Sequence, residues 1–335
     1  MDDFIITAKS NSILSFVLDK LKTEYIVKNI NPTNGSQKFL GMDLTVKKNK
    51  VNRVIQISLS QKNYIEDFMK YLKIPIPKRR VETPLTPNFY FDTDQEHLEL
   101  NKQEIKEAIT KYRSVTGVLL YLSTMTRPDI TYAINYLARF AEYPHQKLFK
   151  QLYRIANYCY FTRNCEIIYR KSNIDPKRLI CYTDSDYAQD IITRKSMNGF
   201  ITILNGGPVN WGAKYTSLVC KSSTEAELQA LVLGTNEIVW FKELMKFIGN
   251  VNNLTYKPIV YVDNQSAIDT VTFANYSSKS KHYMVRLKIL IERFKTLKWF
   301  DISQVKSEEQ LADILTKPVN IKVMNHIRGK ILKEI

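Results

Sequence analysis

The sequence is poor in the residues that staple or anchor a chain. Only Cys159, Cys165, Cys181 and Cys220 are available as thiols in 335 residues, and no two of them have a C-x-x-C spacing. A zinc ribbon and a disulfide framework therefore lack support, and reduced, buried thiols of an intracellular protein are expected. No run of eighteen apolar residues occurs, and the start, Met1-Asp2-Asp3, is acidic rather than a basic signal region. Neither a membrane span nor a secretory leader is expected, so the protein is read as soluble and not secreted. Glycine is scarce, at 10 residues, while isoleucine, tyrosine, asparagine and lysine are abundant. That bias reads as AT-rich coding and says little about the fold. There is no internal repeat.

What is present is a normal hydrophobic fraction of 44%, enough for a core, and a length that fits two to three domains. Lys and Arg exceed Asp and Glu by 49 to 33, a net charge of +16, with pI near 9.4. Such an excess either serves solubility or meets a polyanion, most often nucleic acid. The basic residues recur in patches, Lys47-Lys48-Asn49-Lys50, Lys78-Arg79-Arg80 and Lys279-Ser280-Lys281-His282. Dispersed patches suit a groove along a duplex better than a single arm.

The pattern along the chain is mixed α/β. Phe4–Thr7 reads as a strand, Ile13–Tyr25 as a helix with Ile13, Phe16, Val17 and Leu21 on one face, and Phe39–Val46 with Val54–Leu59 as a hairpin of period two. Ser60 is placed to cap a helix whose stripe is Tyr64, Ile65, Phe68, Met69 and Leu72. Pro75–Glu99, with four prolines, reads as a linker. A helical block follows, Tyr112–Met125, Asp129–Ala141 and Leu148–Phe161, with Pro128 near a helix start. From Cys165 the chain turns β-rich: Glu166–Tyr169, Leu179–Thr183, Gly199–Leu204, Pro208–Trp211 and Pro258–Val262 read as strands. Helices are expected over Thr224–Ile248 and Lys281–Thr296, then a strand Phe300–Val305 and a last helix from Ser307. Strands followed by alternating helices and strands make a mixed sheet with helices against it.

Four carboxylates stand out in that second half. Asp184 (in Thr183-Asp184-Ser185-Asp186) and Asp263 (in Val262-Asp263-Asn264) end strands, Glu227 lies early in a helix, and Asp313 lies in the last predicted helix. Each has a plain alternative: an Asp at a strand end is often a turn former, and Glu225 fits a capping box with Ser222. Glu227, about 200° further round the helix, points elsewhere and sits among Ala226, Leu228, Ala230 and Leu231. A buried glutamate needs a partner, and a metal ion can supply one. Carboxylates converging from several elements suit two magnesium ions about 4 Å apart, the arrangement that clamps both oxygens of a phosphodiester displacement.

The segments Tyr182–Ala188, Arg194–Phe200, Asn210–Lys214, Ser222–Leu228, Asp263–Ala267 and Ala312–Pro318 resemble, in the same order, the ribonuclease H domain of copia-type LTR retrotransposon Pol polyproteins. The resemblance implies that Asp184, Glu227, Asp263 and Asp313 bind two Mg2+ ions, with Mn2+ as an alternative, and that Asp186 and Glu225 are near-misses. It implies hydrolysis of RNA in an RNA–DNA hybrid, with selection through 2′-OH contacts and a basic surface holding the DNA backbone. One departure stands out. Members of that family carry K-H-I-D-x-x-x-H where this chain has Lys281-His282-Tyr283-Met284-Val285-Arg286-Leu287-Lys288. His282 and Arg286 remain as auxiliary candidates, while an Asp is replaced by Met284 and a second His by Lys288, which bears on turnover. The alternative is a relic that binds nucleic acid without cutting it.

The first half resembles the same family. Asp2-Asp3 before Phe4-Ile5-Ile6 is similar to the end of the reverse-transcriptase Y-x-D-D turn, and Phe39–Met42, Ser58–Ile65, Thr83-Pro84-Leu85, Tyr112–Gly117 and Thr126–Ile130 are similar to the segments that follow it. The implied fold is a partial palm and thumb over residues 1–74, a linker and helical connection over 75–164, a ribonuclease H-like mixed sheet with flanking helices over 165–320, and a C-terminal tail or helix over 321–335. The third palm carboxylate and the fingers are not found, so Asp2 and Asp3 are read as a polymerase remnant without primer extension. The partners implied are an RNA–DNA hybrid, no membrane, and an upstream polymerase fragment or a second copy of the chain. The expected setting is cytoplasmic particles or the nucleus.

Overall fold

The computed structural model describes residues 4–8, 10–27, 36–51, 53–92, 101–143, 145–170, 178–248, 256–273 and 284–334. Asp2, Asp3 and His282 lie outside them. Residues 4–8 carry no regular structure, and Phe4 and Ile5 are exposed. The strand expected there has no described strand to pair with. Helix α1 (Asn11–Glu24) forms as expected, with Ser10 accepting from the Ile13 N–H, but none of its residues is buried.

The predicted hairpin divides further. β1 (Ser36–Phe39) and β2 (Met42–Lys48) are joined by Leu40-Gly41, both at positive φ, and β2 pairs on with β3 (Val54–Ser60). Two consecutive left-handed residues make the tight loop whose twist matches the strands. A leucine in the first of those positions hides the turn from a sequence reading. Helix α2 (Lys62–Tyr71) buries Ile65, Phe68 and Met69 as expected, but its N-cap is Gln61, not Ser60, which still belongs to β3.

The segment read as a linker is packed. Leu85 and Phe91 are in the main core, and Arg154 donates to the Thr83 hydroxyl at 2.9 Å. Helices α3 (Lys102–Met125), α4 (Thr131–Ala138) and α5 (Gln146–Phe161) follow, with a short 3-10 turn at Pro128–Ile130. Beneath them Arg127, fully buried, makes a two-pronged pair with Asp129 at 2.9 and 2.8 Å. Burial alone would strip both charges; their mutual attraction holds Asp129 below the usual carboxylate range.

β4 (Cys165–Arg170) was expected with the second half. Its ladder partners are β3 and, at the far end of the chain, β10 (Lys333–Glu334), giving the order β1-β2-β3-β4-β10. A division at 165 therefore cuts this sheet. In the C-terminal segment read as a tail or helix, α9 (Ile321–Ile331) buries Met324, Ile327 and Ile331, and Arg328 donates to the Tyr158 hydroxyl at 3.1 Å.

The second sheet holds β5 (Ile180–Asp186), β6 (Met197–Leu204), β7 (Gly207–Tyr215), β8 (Ile259–Val262) and β9 (Asp301–Gln304), in the order β7-β6-β5-β8-β9. The β5–β6–β7 ladders are antiparallel, while β8 runs parallel to β5 and β9 parallel to β8. This is the mixed sheet with flanking helices expected of a ribonuclease H-like fold. Alternation along β6 serves two cores: Met197 and Ile201 face α3–α5, whereas Phe200 faces α6 (Ser223–Phe247). α7 (Gln265–Phe273), not foreseen, and α8 (Met284–Ile291), which continues in a π-helical turn over Glu292–Thr296, complete the second layer. The helix expected from Ser307 is instead two 3-10 turns, Ser307–Glu309 and Leu311–Leu315. No helix among the described residues is long and apolar enough to cross a membrane.

Candidate metal centre

The sheet register brings the first two carboxylates together. Tyr182 of β5 is opposite Tyr261 of β8 in a parallel pair. Two residues on, Asp184, which is inside β5 rather than at its end, and Asp263, just past β8, come side by side, because side chains on one face recur every second residue. Asn264 then accepts from the Ala267 N–H at 3.0 Å, capping α7 and fixing the strand end that presents Asp263. Ser307 donates to Asp263 Oδ2 at 3.3 Å from the opposite side.

Glu227 comes from α6. Its buried stripe runs Glu227, Ala230, Leu231, Gly234 and Ile238, the spacing of one helix face. Gly234 lets that face lie directly on β5: a methyl there would collide with Thr183 Cγ2 and come within 2.9 Å of Cys181 Sγ. Ser222 caps the helix, accepting from the Glu225 N–H at 3.1 Å, and Glu225 turns back to accept from the Lys221 N–H at 2.8 Å. The capping role read for Glu225 is therefore present, with its carboxylate reaching one residue beyond the cap.

Oxygens of Asp184, Glu227 and Asp263 lie within 4.8 Å of one another. Asp313 arrives on the Leu311–Leu315 turn. Gln310 anchors that turn, donating to the Thr183 carbonyl at 2.9 Å, and the Thr316 hydroxyl donates to Asp184 Oδ2. The turn can approach because Gly199 is the β6 residue opposite Asp184; a Cβ there would stand 2.8 Å from both Leu315 Cβ and Thr316 Cγ2. Asp313 is close to the trio but is engaged by Lys317, whose Nζ is 2.9 Å from Asp313 Oδ1 and 3.9 Å from Asp184 Oδ2.

No family model matches the chain. The retrovirus-related Pol polyprotein from transposon RE1 of Arabidopsis thaliana is 30% identical over 332 residues, covering 99% of this chain and 21% of that protein. The corresponding polyprotein from transposon TNT 1-94 of Nicotiana tabacum is 31% identical over 329 residues, 95% and 23% of the two chains. The transposon TyH3 Gag-Pol polyprotein of Saccharomyces cerevisiae is 24% identical over 341 residues, 98% and 19%. The chain is homologous to the Pol polyproteins of copia-type retrotransposons. It spans about a fifth of the length of these curated relatives. Among solved structures, ribonuclease H1 of Halobacterium salinarum aligns over 42% of this chain and 94% of its own, with a TM-score of 0.31 and 19% identity, a likeness too distant to bear on function.

The electrostatics of this centre follow from its crowding. Glu227 is buried, and burial, then Asp184 and Asp263, push its carboxyl up to about 9 against a hydrogen bond from the Ser185 N–H. Burial and Asp184 also raise Asp263, and they raise Asp313 to about 6 against the pull of Lys317. Burial raises the near-miss Asp186 to about 6, with Lys317 opposing and Asp184 adding to the shift. Burial works against the Lys317 ammonium, but Asp184 and Asp313 outweigh it and hold the proton more firmly than usual.

The donor set fits a hard divalent cation. It is all oxygen, it comes from three elements, and Glu227 Oε2 is buried without a hydrogen-bond donor. Arg286 is elsewhere: it is exposed on α8, makes no ion pair with the carboxylates among the described residues, and its charge is felt by the Cys220 thiol. Sequence reasoning placed Gly199, Thr316 and Lys317 inside the segments Arg194–Phe200 and Ala312–Pro318 but gave them no role at the site. The adjacency of Thr316 and Lys317 to Asp313 is visible in the sequence, but their contacts with Asp184, and the register of Gly199 with it, appear only in the fold.

Proposed function

We propose that this chain hydrolyses the RNA strand of RNA–DNA hybrids, using Asp184, Glu227, Asp263 and Asp313 to hold two Mg2+ ions, with Mn2+ able to replace them. The observation that carries the reading is the trio of carboxylates from β5, α6 and the end of β8 within 4.8 Å, one of them buried with an oxygen lacking any donor. Apposed carboxylates destabilise one another unless a cation is present. Homology to Pol polyproteins over nearly the whole chain supports the same reading. Bound divalent cations would supply Lewis-acid charge at the scissile phosphate and a water of lowered pKa. The chain's own part is to orient the ligands: Ser307 steadies Asp263, Thr316 steadies Asp184, and the Ser185 N–H steadies one oxygen of Glu227. The +16 net charge supports a polyanionic substrate.

The test is cleavage of a labelled RNA–DNA hybrid in Mg2+, Mn2+ or chelator. Wild type should cut in either metal and stop in chelator. Asp184→Asn should lose at least about 100-fold in rate, the upper end of what loss of a merely supporting contact causes. Binding of hybrid without cleavage by wild type would instead favour the non-catalytic relic. The proposal includes no primer extension. Asp2 and Asp3 lie outside the described residues, and nucleotide incorporation by the purified chain would overturn that part alone.

A further inference from the structure

Lys317 is not an ordinary surface lysine. Its ammonium lies 2.9 Å from Asp313 Oδ1 and 3.9 Å from Asp184 Oδ2, and both carboxylates are largely buried, with side-chain exposures of 12% and 4%. The backbone holds it in place: the Lys317 N–H donates to the Asp313 carbonyl at 3.2 Å, and Pro318 follows. Gln310 and Thr316 pin the turn before it to β5. A lysine on a loose loop would lose side-chain entropy on pairing; here the segment is already ordered by other contacts.

The carboxylates therefore divide into two unequal groups. Asp184, Glu227 and Asp263 stand within 4.8 Å of one another, a group that does not include Asp313. The edge between Asp184 and Asp313 already has a positive charge. A cation entering the trio meets no ammonium in contact with Glu227 or Asp263 among the described residues, with Lys317 standing 3.9 Å from Asp184. One entering between Asp184 and Asp313 must displace the ammonium or share the edge with it.

We infer that Lys317 is a built-in counter-ion that makes the two cation positions unequal, leaving the trio as the tight position and weakening the one at Asp313. This rests on the divalent-cation reading above. Lys317 is a positioning residue in this scheme: it governs which cation is held and which must be brought in or released.

The experiment is Mn2+ binding to the full chain without nucleic acid, followed by calorimetry and by the electron paramagnetic resonance of free Mn2+. Wild type should bind in two steps of unequal affinity. In Lys317→Met the weaker step should tighten by about tenfold, with the tighter step changing far less, since a unit charge about 4 Å away is removed from one position more than the other. Lys317→Arg, which keeps the charge, should resemble wild type. Lys317→Gln carries the same expectation as Lys317→Met should the latter fail to fold. Two steps that both remain unchanged in the neutral variants, or that tighten equally, would overturn the inference and leave the metal centre standing. Absence of any Mn2+ binding by wild type would overturn both.

Discussion

Thr316 donates its hydroxyl to the carboxylate of Asp184, tying the Asp313 turn to a strand residue 132 positions earlier. Thr316 is fully buried, and the same hydroxyl lies 3.2 Å from the Asp313 carbonyl. Thr316→Val keeps the shape and deletes the donor. It should destabilise the protein by about 1–3 kcal/mol, the cost of leaving a buried acceptor unpaired. Thr316→Ser should recover most of that loss. Urea unfolding of the three proteins checks this, and equal midpoints for Val and wild type would show that the bond contributes nothing.

Glu227 gives the metal-free protein an unusual pH profile. Its carboxyl is raised from 4.5 to about 9 by burial and by Asp184 and Asp263. Between those values the folded state binds a proton that the unfolded state has released, so stability must fall as pH rises. The contribution is fully present below about 4.5 and is lost by about 9. Glu227→Gln carries no titrating group at that position and should flatten the profile in chelator above about pH 6, the value to which Asp186 and Asp313 are raised. Melting temperatures from pH 5 to 9 measure it, and an equally steep fall in the variant would contradict the assignment. Divalent cation should reverse the trend for wild type, because the ion favours the charged carboxylate.

The sequence made the second half legible because its elements are long or strongly patterned. The long helix over Thr224–Ile248, the capping Ser222 and the strands that carry Asp184 and lead to Asp263 could all be placed from local chemistry. What could not be read was set by distant contacts. β4 looks like any apolar strand, and only its pairing with β3 and β10 assigns its sheet. Asp313 falls on a 3-10 turn because Gln310 caps Ala312 and Lys317-Pro318 ends the segment, where periodicity alone suggested a helix. The Leu40-Gly41 turn was hidden by a leucine in a left-handed conformation, with the Tyr121 hydroxyl donating to the Leu40 carbonyl from α3.

Gly199 tests whether close backbone approach builds the site. A methyl would stand 2.8 Å from both Leu315 Cβ and Thr316 Cγ2, atoms of a tight buried turn with little freedom to move. Gly199→Ala should cost about 1–3 kcal/mol through overpacking. It should also lower hybrid cleavage more than it lowers hybrid binding, because the displaced turn carries Asp313. A variant with wild-type stability and cleavage would show that the turn yields freely.

The Arg127–Asp129 pair should behave quite differently from the carboxylate centre. Both side chains are essentially inaccessible, at 1% and 0% exposure, and Arg127 also donates to the Thr162 hydroxyl while Tyr158 donates to Asp129. Asp129→Asn leaves a buried guanidinium without its counter-charge and should cost about 3–5 kcal/mol. Burial opposes the Asp129 charge, but Arg127 outweighs it and holds the folded carboxyl below its ordinary value of 3.8. Its contribution is therefore present above that value and is lost as pH falls below it, the reverse of Glu227. Chemical denaturation at pH 7 and at pH 3 separates the two. The gap between wild type and Asp129→Asn should narrow at the lower pH, and a gap that widened would mean the carboxylate is not what stabilises Arg127.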